Sequence, residues 1–85
     1  SLDKALAEFH KAAEEDPKDT RTWLKIAEIN VRRGAKQEAI DTYLKTADLY
    51  TEQGFFQRAV AVYNNILKLA PGYVDAHVKL AGLFK

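Results

Sequence analysis

The strongest constraint on this chain is that parts of it repeat. Slid along itself until Gly34 meets Gly54, the chain also places Leu24, Lys25, Ala27, Gln37, Ala39 and Tyr43 on Leu44, Lys45, Ala47, Gln57, Ala59 and Tyr63, with Glu28 over Asp48 and Ile40 over Val60. A longer slide, which carries Pro17 onto Pro71, puts Ala5 and Phe9 on Ala59 and Tyr63, and Lys25 and Ala27 on Lys79 and Ala81. A fixed internal period is the signature of stacked supersecondary units, none of which buries its apolar face alone. The stretch between Gly34 and Gly54 belongs to both series and organises the rest.

Within each unit the apolar residues recur at three- and four-residue steps, the spacing of one helix face. Leu2, Ala5, Leu6, Phe9, Ala12 and Ala13 form such a stripe over residues 2–16, ended by Pro17, which pushes the preceding residue out of the helical region. Asp19 or Thr20 can cap a second helix over 20–33, carrying Trp23, Ile26, Ala27, Asn30 and Val31 and closed by Gly34. Residues 36–53 contain neither glycine nor proline, and the stripe Ala39, Ile40, Tyr43, Leu44, Ala47 and Tyr50 runs through them in one phase. One continuous helix of about 27 Å is predicted there. A fourth helix over 55–69 uses Phe56, Ala59, Val60, Tyr63, Ile66 and Leu67, and a fifth over 73–85 carries Val74, His77, Val78, Ala81 and Phe84. No segment alternates as a half-buried strand does, and the short connections make sequential helices antiparallel neighbours. The fold class is therefore all-α, with five helices in one domain.

Composition excludes several functions. The 85 residues contain no cysteine, so disulfides and thiolate metal sites are absent. Thirteen basic and 12 acidic side chains leave a formal net charge of +1, which gives no electrostatic pull toward nucleic acid or an anionic membrane. No apolar run approaches the roughly 20 residues that span a bilayer, and the amino terminus lacks a signal-peptide pattern. A soluble, cytoplasmic chain is expected. Without a methionine, and beginning and ending inside periodic sequence, it reads as a piece of a longer repeat protein.

Small residues at Ala27, Ala39, Ala47, Ala59 and Ala81 allow close helix approach, with Trp23, Tyr43, Tyr50, Tyr63 and Phe84 filling the space beside them. This pattern resembles the tetratricopeptide repeat, a helix-turn-helix unit of about 34 residues. Trp23, Ala27, Gly34, Ala39 and Tyr43 match one repeat, and Tyr50, Gly54, Ala59, Tyr63 and Pro71 a second. Ala5, Phe9, Ala12 and Pro17 look like the closing half of an earlier repeat, and Leu80, Ala81 and Phe84 like the opening half of a later one. The resemblance implies a right-handed superhelical stack of antiparallel helices, a TPR-like α-solenoid. The chain departs from the family in that Gly34 and Gly54 lie closer together than one family period, so that residues 36–53 serve as second helix of one unit and first of the next. Asn30 also stands where the family usually has tyrosine, and Lys36 where it usually has an aromatic residue.

Residues capable of chemistry are sparse and scattered. His10 and His77 stand alone on different helices; His10 reads as a solvated residue and His77, in the position of Trp23, as a packing residue. The acidic group Glu14, Glu15, Asp16 and Asp19 lacks the central glycine and alternating ligands of a calcium loop. No glycine-rich phosphate loop exists. No enzyme, metal or cofactor is expected. Arg32, Arg33, Lys36 and Arg58 are either a cluster for an acidic partner or cations at a helix end, with Glu28 and Arg32 spaced for an ordinary ion pair. In the family the first helix of each unit lines a concave groove. Carried across, the resemblance implies a lining of Arg21, Leu24, Lys25, Glu28, Val31 and Arg32, continued by Leu44, Lys45, Asp48 and Glu52. Leu24 and Glu28 stand where repeats that capture a terminal carboxylate place lysine and asparagine, which argues against a clamp for peptide tails. Phe55 is either an aromatic anchor for a partner or a lid over the preceding turn. The function implied is a non-catalytic scaffold or adaptor that binds a protein or peptide through groove or flank. The alternative is a spacer of a longer solenoid, self-associating through Leu2 and Leu6 at one end and Val78, Leu80, Leu83 and Phe84 at the other.

Overall fold

A computed structural model describes residues 1–84 as five α-helices; Lys85, the last residue of the expected opening half-repeat, lies outside the described residues. The helices are α1 (Leu2–Glu15), α2 (Thr20–Arg33), α3 (Lys36–Glu52), α4 (Phe56–Leu69) and α5 (Val74–Leu83). Each packs chiefly on its neighbour in the chain, so they form a row 41 Å long, 26 Å wide and 14 Å thick. The width is the length of α3, about 26 Å for 17 residues.

Local chemistry sets the ends of the helices. Ser1 and Asp19 accept bonds from the amides of Lys4 (3.3 Å) and Arg21 (3.0 Å), two of the donors a helix start leaves unpaired. Gly34 and Gly54 take φ of 78° and 83°, and the following amides of Ala35 and Phe55 donate back to Asn30 O (2.9 Å) and Tyr50 O (2.8 Å). These are the reversed bonds that close a helix on a left-handed residue. The loop after α1 is held by Trp23, whose Nε1 donates to Pro17 O at 2.7 Å. At the equivalent place after α4, His77 Nε2 meets Pro71 O, again at 2.7 Å. A carbonyl only accepts, so that histidine nitrogen carries the hydrogen.

The core is a row of alanines flanked by tyrosines. Ala27, Ala39, Ala47 and Ala59 are fully buried, Tyr43, Tyr50 and Tyr63 nearly so, and Ile26 and Ile66 fill the two hairpins. Because α3 has a helix on each side, its buried arc is wider than the single stripe read from its sequence. Thr46 and Leu49 are buried and Leu44 is only half-buried, packed against the core from its edge. Thr46 is tolerated there because its hydroxyl donates to Thr42 O at 2.8 Å. Asn30 is likewise buried and accepts from Arg33 Nη1 at 2.9 Å. No buried side-chain polar atom among the described residues lacks a partner.

Several expectations about packing are corrected. Phe56, placed on the core stripe of α4, is 54% exposed, while Phe55 before it packs edge-on to Tyr50 at 6.4 Å. In α5 only Ala76 is buried; His77, Ala81 and Phe84 lie on faces that no described helix covers. On α1 Ala13 is buried and Ala12 exposed. Of the cations that could have formed a basic cluster, Arg33 pairs with Asp3 of α1 at 2.9 Å, and Arg58 lies over the Phe55 ring at 4.6 Å, beside the turn at the other end of α3. Glu28 pairs with Lys25 at 3.7 Å, one turn back, and not with Arg32.

A Cβ added at Gly34 or Gly54 meets nothing within 4 Å, so substitution costs only backbone strain. Gly34→Ala and Gly54→Ala are each expected to destabilise the fold by about 1–2 kcal/mol, read as a lowered urea midpoint with unchanged slope. A loss much beyond that would mean the turns carry more than conformation.

Candidate partner-binding groove

The outer face of α3 is the floor of a groove of about 600 Å³. Asp41, Leu44, Lys45, Asp48 and Glu52 reach it because steps of three and four residues keep them on one helix face. Pro17 and Lys18 of the first loop form one wall and Lys79 of α5 the other. Leu44 and Leu49 supply the apolar surface, with carboxylates and ammoniums interleaved around them.

Most of the charges are already oriented. Asp41 accepts from Gln37 Nε2 at 2.9 Å, and the Lys45 ammonium lies 4.9 Å above the centre of the Trp23 ring. Asp48 is the node of the groove: Lys79 Nζ reaches its two oxygens at 3.1 and 3.3 Å, and the Tyr63 hydroxyl donates to it at 3.3 Å. Burial pushes the Tyr63 phenol up to about 12, with the Asp48 charge and hydrogen bond adding to the rise and Thr51 opposing it. Tyr43 is raised in the same direction, first by burial and then by the charge of Glu28.

The residues expected to line one groove are divided among separate places. Leu44, Lys45, Asp48 and Glu52 share the α3 groove. Lys25, Glu28 and Arg32 instead line a cavity of about 300 Å³ against α1, completed by Leu2, Ala5, Phe9 and Ile29. Arg21 is turned back to Asp19, whose carboxyl it holds below the usual range through the side-chain bond. Leu24 is half-buried against the core, and Val31 is 37% exposed. Phe55 is 46% exposed and lines a third, shallow cavity with Phe56 and Arg58. It packs on the preceding turn while keeping one face open. Lys18, Asp41, Leu49 and Lys79 were not singled out as groove residues. Asp41 was legible from helical spacing with Leu44 and Asp48, and Lys79 from falling on Lys25 in the same slide that carries Pro17 onto Pro71. Among the described residues no cluster of three or more metal-ligating side chains occurs, and no helix is long and apolar enough to cross a membrane.

A row of antiparallel helices joined by glycine-closed turns, with alanines at the crossings, defines a helical-repeat protein. A tetratricopeptide-repeat profile matches residues 1–50 and again 44–84, the two stretches overlapping inside α3, and the chain belongs to the tetratricopeptide repeat family. Such repeats generally mediate protein–protein interaction or scaffolding and are typically non-catalytic. The chain is similar to Superkiller complex protein 3 of Homo sapiens, at 29% identity, and of Mus musculus, at 26%, each over 87 residues. Those alignments cover 86% of this chain and 6% of either relative, so the chain spans a small part of their length.

The Tyr63 phenol gives an alkaline signature. Its folded value lies above the ordinary 10.0, so its contribution to stability is complete below pH 10 and is lost as pH rises toward about 12. The urea midpoint is expected to fall across that window, and less steeply in Tyr63→Phe. Parallel alkaline slopes for the two chains would show that Tyr63 is not held neutral.

Proposed function

We propose that this chain is a non-catalytic binding segment that seats an amphipathic stretch of a protein partner along the outer face of α3. The observation that carries the reading is the combination of a leucine floor with a fixed pattern of charges, Asp41, Asp48 and Glu52 interleaved with Lys18, Lys45 and Lys79. Apolar side chains of the partner lie on Leu44 and Leu49, and its cations face Glu52, which has no ion pair among the described residues. Preorganised charges fix register and orientation, while the apolar contact supplies most of the affinity. The interleaved carboxylates disfavour a nucleic-acid backbone in the same groove. Lys79 of α5 walls this face, and no residue of α1 lines it.

The test uses peptides selected from a random library panned against the chain. Their binding is expected to shift the amide resonances of residues 41–52 and Lys79. Glu52→Lys is expected to weaken them about tenfold, or 1.4 kcal/mol, whereas Glu28→Ala and Arg32→Ala leave affinity unchanged. Shifts confined to the α1–α2 cavity or to the Phe55 turn would reject this groove.

A further inference from the structure

We propose that the turn at Gly54 and the outer face of α4 bind an acidic segment of a protein partner, one in which an apolar side chain is flanked by carboxylates. Phe55 and Phe56 stand next to each other at this turn, both exposed, and with Arg58 they line a shallow cavity of about 320 Å³. Exposed aromatic rings are the residues that anchor contacts between proteins. From the cavity, Arg58, Ala61, Asn65 and Lys68 follow at steps of three and four residues, which keeps them on one face of α4. Arg58, Ala61 and Lys68 are exposed and Asn65 is half-buried.

Charge identifies the occupant. Residues 53–74 contain no aspartate or glutamate, and their charged side chains are Arg58 and Lys68. Neither forms an ion pair among the described residues. The Arg58 guanidinium is held over the Phe55 ring, so a carboxylate that pairs with it brings its neighbouring side chain onto the phenylalanines. Lys68 stands about 15 Å further along the helix axis, within reach of a second carboxylate of the same segment. The outward strip of α3 differs in kind, since Asp41, Asp48 and Glu52 there repel an anionic segment that α4 accepts. A nucleic-acid strand fits less well. Two cations at this spacing neutralise few phosphates, and one face of the Phe55 ring is already covered by Arg58 and closed to a stacking base.

The helices on either side leave this face open. On α4 it is exposed although α1, α2 and α3 precede it. At the longer offset the same places on α1 are held by Lys4, Ala7, Lys11 and Glu14, all exposed although α2 and α3 follow. The two helices hold equivalent places, each ending in a proline whose carbonyl meets a ring nitrogen at 2.7 Å. Neighbours before and after therefore leave the face accessible. The site itself is not repeated on α1, where Ser1 and Leu2 replace the phenylalanines and Asp3 stands beside them. It shares no lining residue with the α3 groove and stands if that groove binds nothing.

The probe is a synthetic peptide, Glu-Glu-Phe-Glu-Glu-Leu-Glu-Glu with blocked ends, titrated into the 85-residue chain at low ionic strength. It is expected to shift the amide resonances of residues 54–58, Ala61, Asn65 and Lys68, leaving those of 41–48 in place. Arg58→Glu is expected to weaken the peptide about tenfold and to admit the same peptide with lysine for every glutamate. Phe56→Ser, at an exposed site, is expected to weaken it with far-UV circular dichroism unchanged. Absence of shifts at 54–58 with millimolar peptide overturns the proposal, as does equal binding of the lysine peptide by the parent chain. Tighter binding of single-stranded oligothymidylate at the same resonances would make this a nucleic-acid surface, and shifts that grow with the concentration of the chain alone would make the occupant a second copy. Either result overturns it too.

Discussion

Helix α3 has to satisfy two neighbours at once, and the rest of the structure depends on how it does so. An isolated helix of 17 residues is marginal in water, so its stability comes from its flanks. Close approach on both sides requires small residues at the crossings, which Ala39 and Ala47 provide, with Ala27 and Ala59 opposite them. The tyrosines then fill the space beside each crossing, burying large rings that a leucine-only core would leave loosely packed. Enlarging an alanine here would push both hairpins apart, a cost of roughly 1–3 kcal/mol for overpacking.

That double packing also decides where the polar chemistry lies. Between its two buried flanks α3 keeps one outward strip, on which Asp41, Lys45 and Asp48 are each held by a neighbour. Asp48 is the clearest case, since it touches α4 through Tyr63 and α5 through Lys79. Its side chain is about half exposed, so the pair with Lys79 is a surface ion pair worth at most about 1 kcal/mol, and the Tyr63 hydroxyl adds a second donor that orients it. A groove whose charges are already held loses less entropy on binding than one whose side chains must be ordered.

The helices themselves were legible because period, glycine and proline all point the same way. Gly34 and Gly54 mark the turns, Pro17 and Pro71 the loops, and the uninterrupted stretch between the glycines is one helix in the structure. What a one-dimensional stripe cannot convey is how many neighbours a helix has. Thr46 and Leu49 were missed, and Phe56 misassigned, because burial there follows from the second neighbour and because Phe55, not Phe56, packs on Tyr50. Charge pairing was misread for a related reason. Spacing permits Glu28 to meet Lys25 or Arg32, all three line the α1 cavity, and the pair formed there is Glu28 with Lys25 at 3.7 Å. The expected groove divided because residues of α2 on either side of its exposed edge face different neighbours.

The two internal offsets carry different physical information. At the shorter one the backbone recurs: Gly34 and Gly54 have nearly the same φ, and the reversed bonds from Ala35 and Phe55 are 2.9 and 2.8 Å long. The core roles recur too, since Ala27, Ala39 and Tyr43 are buried as Ala47, Ala59 and Tyr63 are, whereas the polar roles do not: Lys25 pairs with Glu28, Lys45 lies over Trp23, and Asp48 takes Lys79. At the longer one the loop bond recurs, to Pro17 O and to Pro71 O, even where tryptophan has become histidine, but burial does not, Ala27 being buried and Ala81 exposed. The difference follows from α3 entering by one glycine turn and leaving by another. The turn chemistry must repeat at both ends, but the helix before it and the helix after it meet α3 on opposite flanks. Identity at the shorter offset therefore reports a shared turn together with the buried alanines and tyrosines beside it, and identity at the longer one reports a shared loop contact.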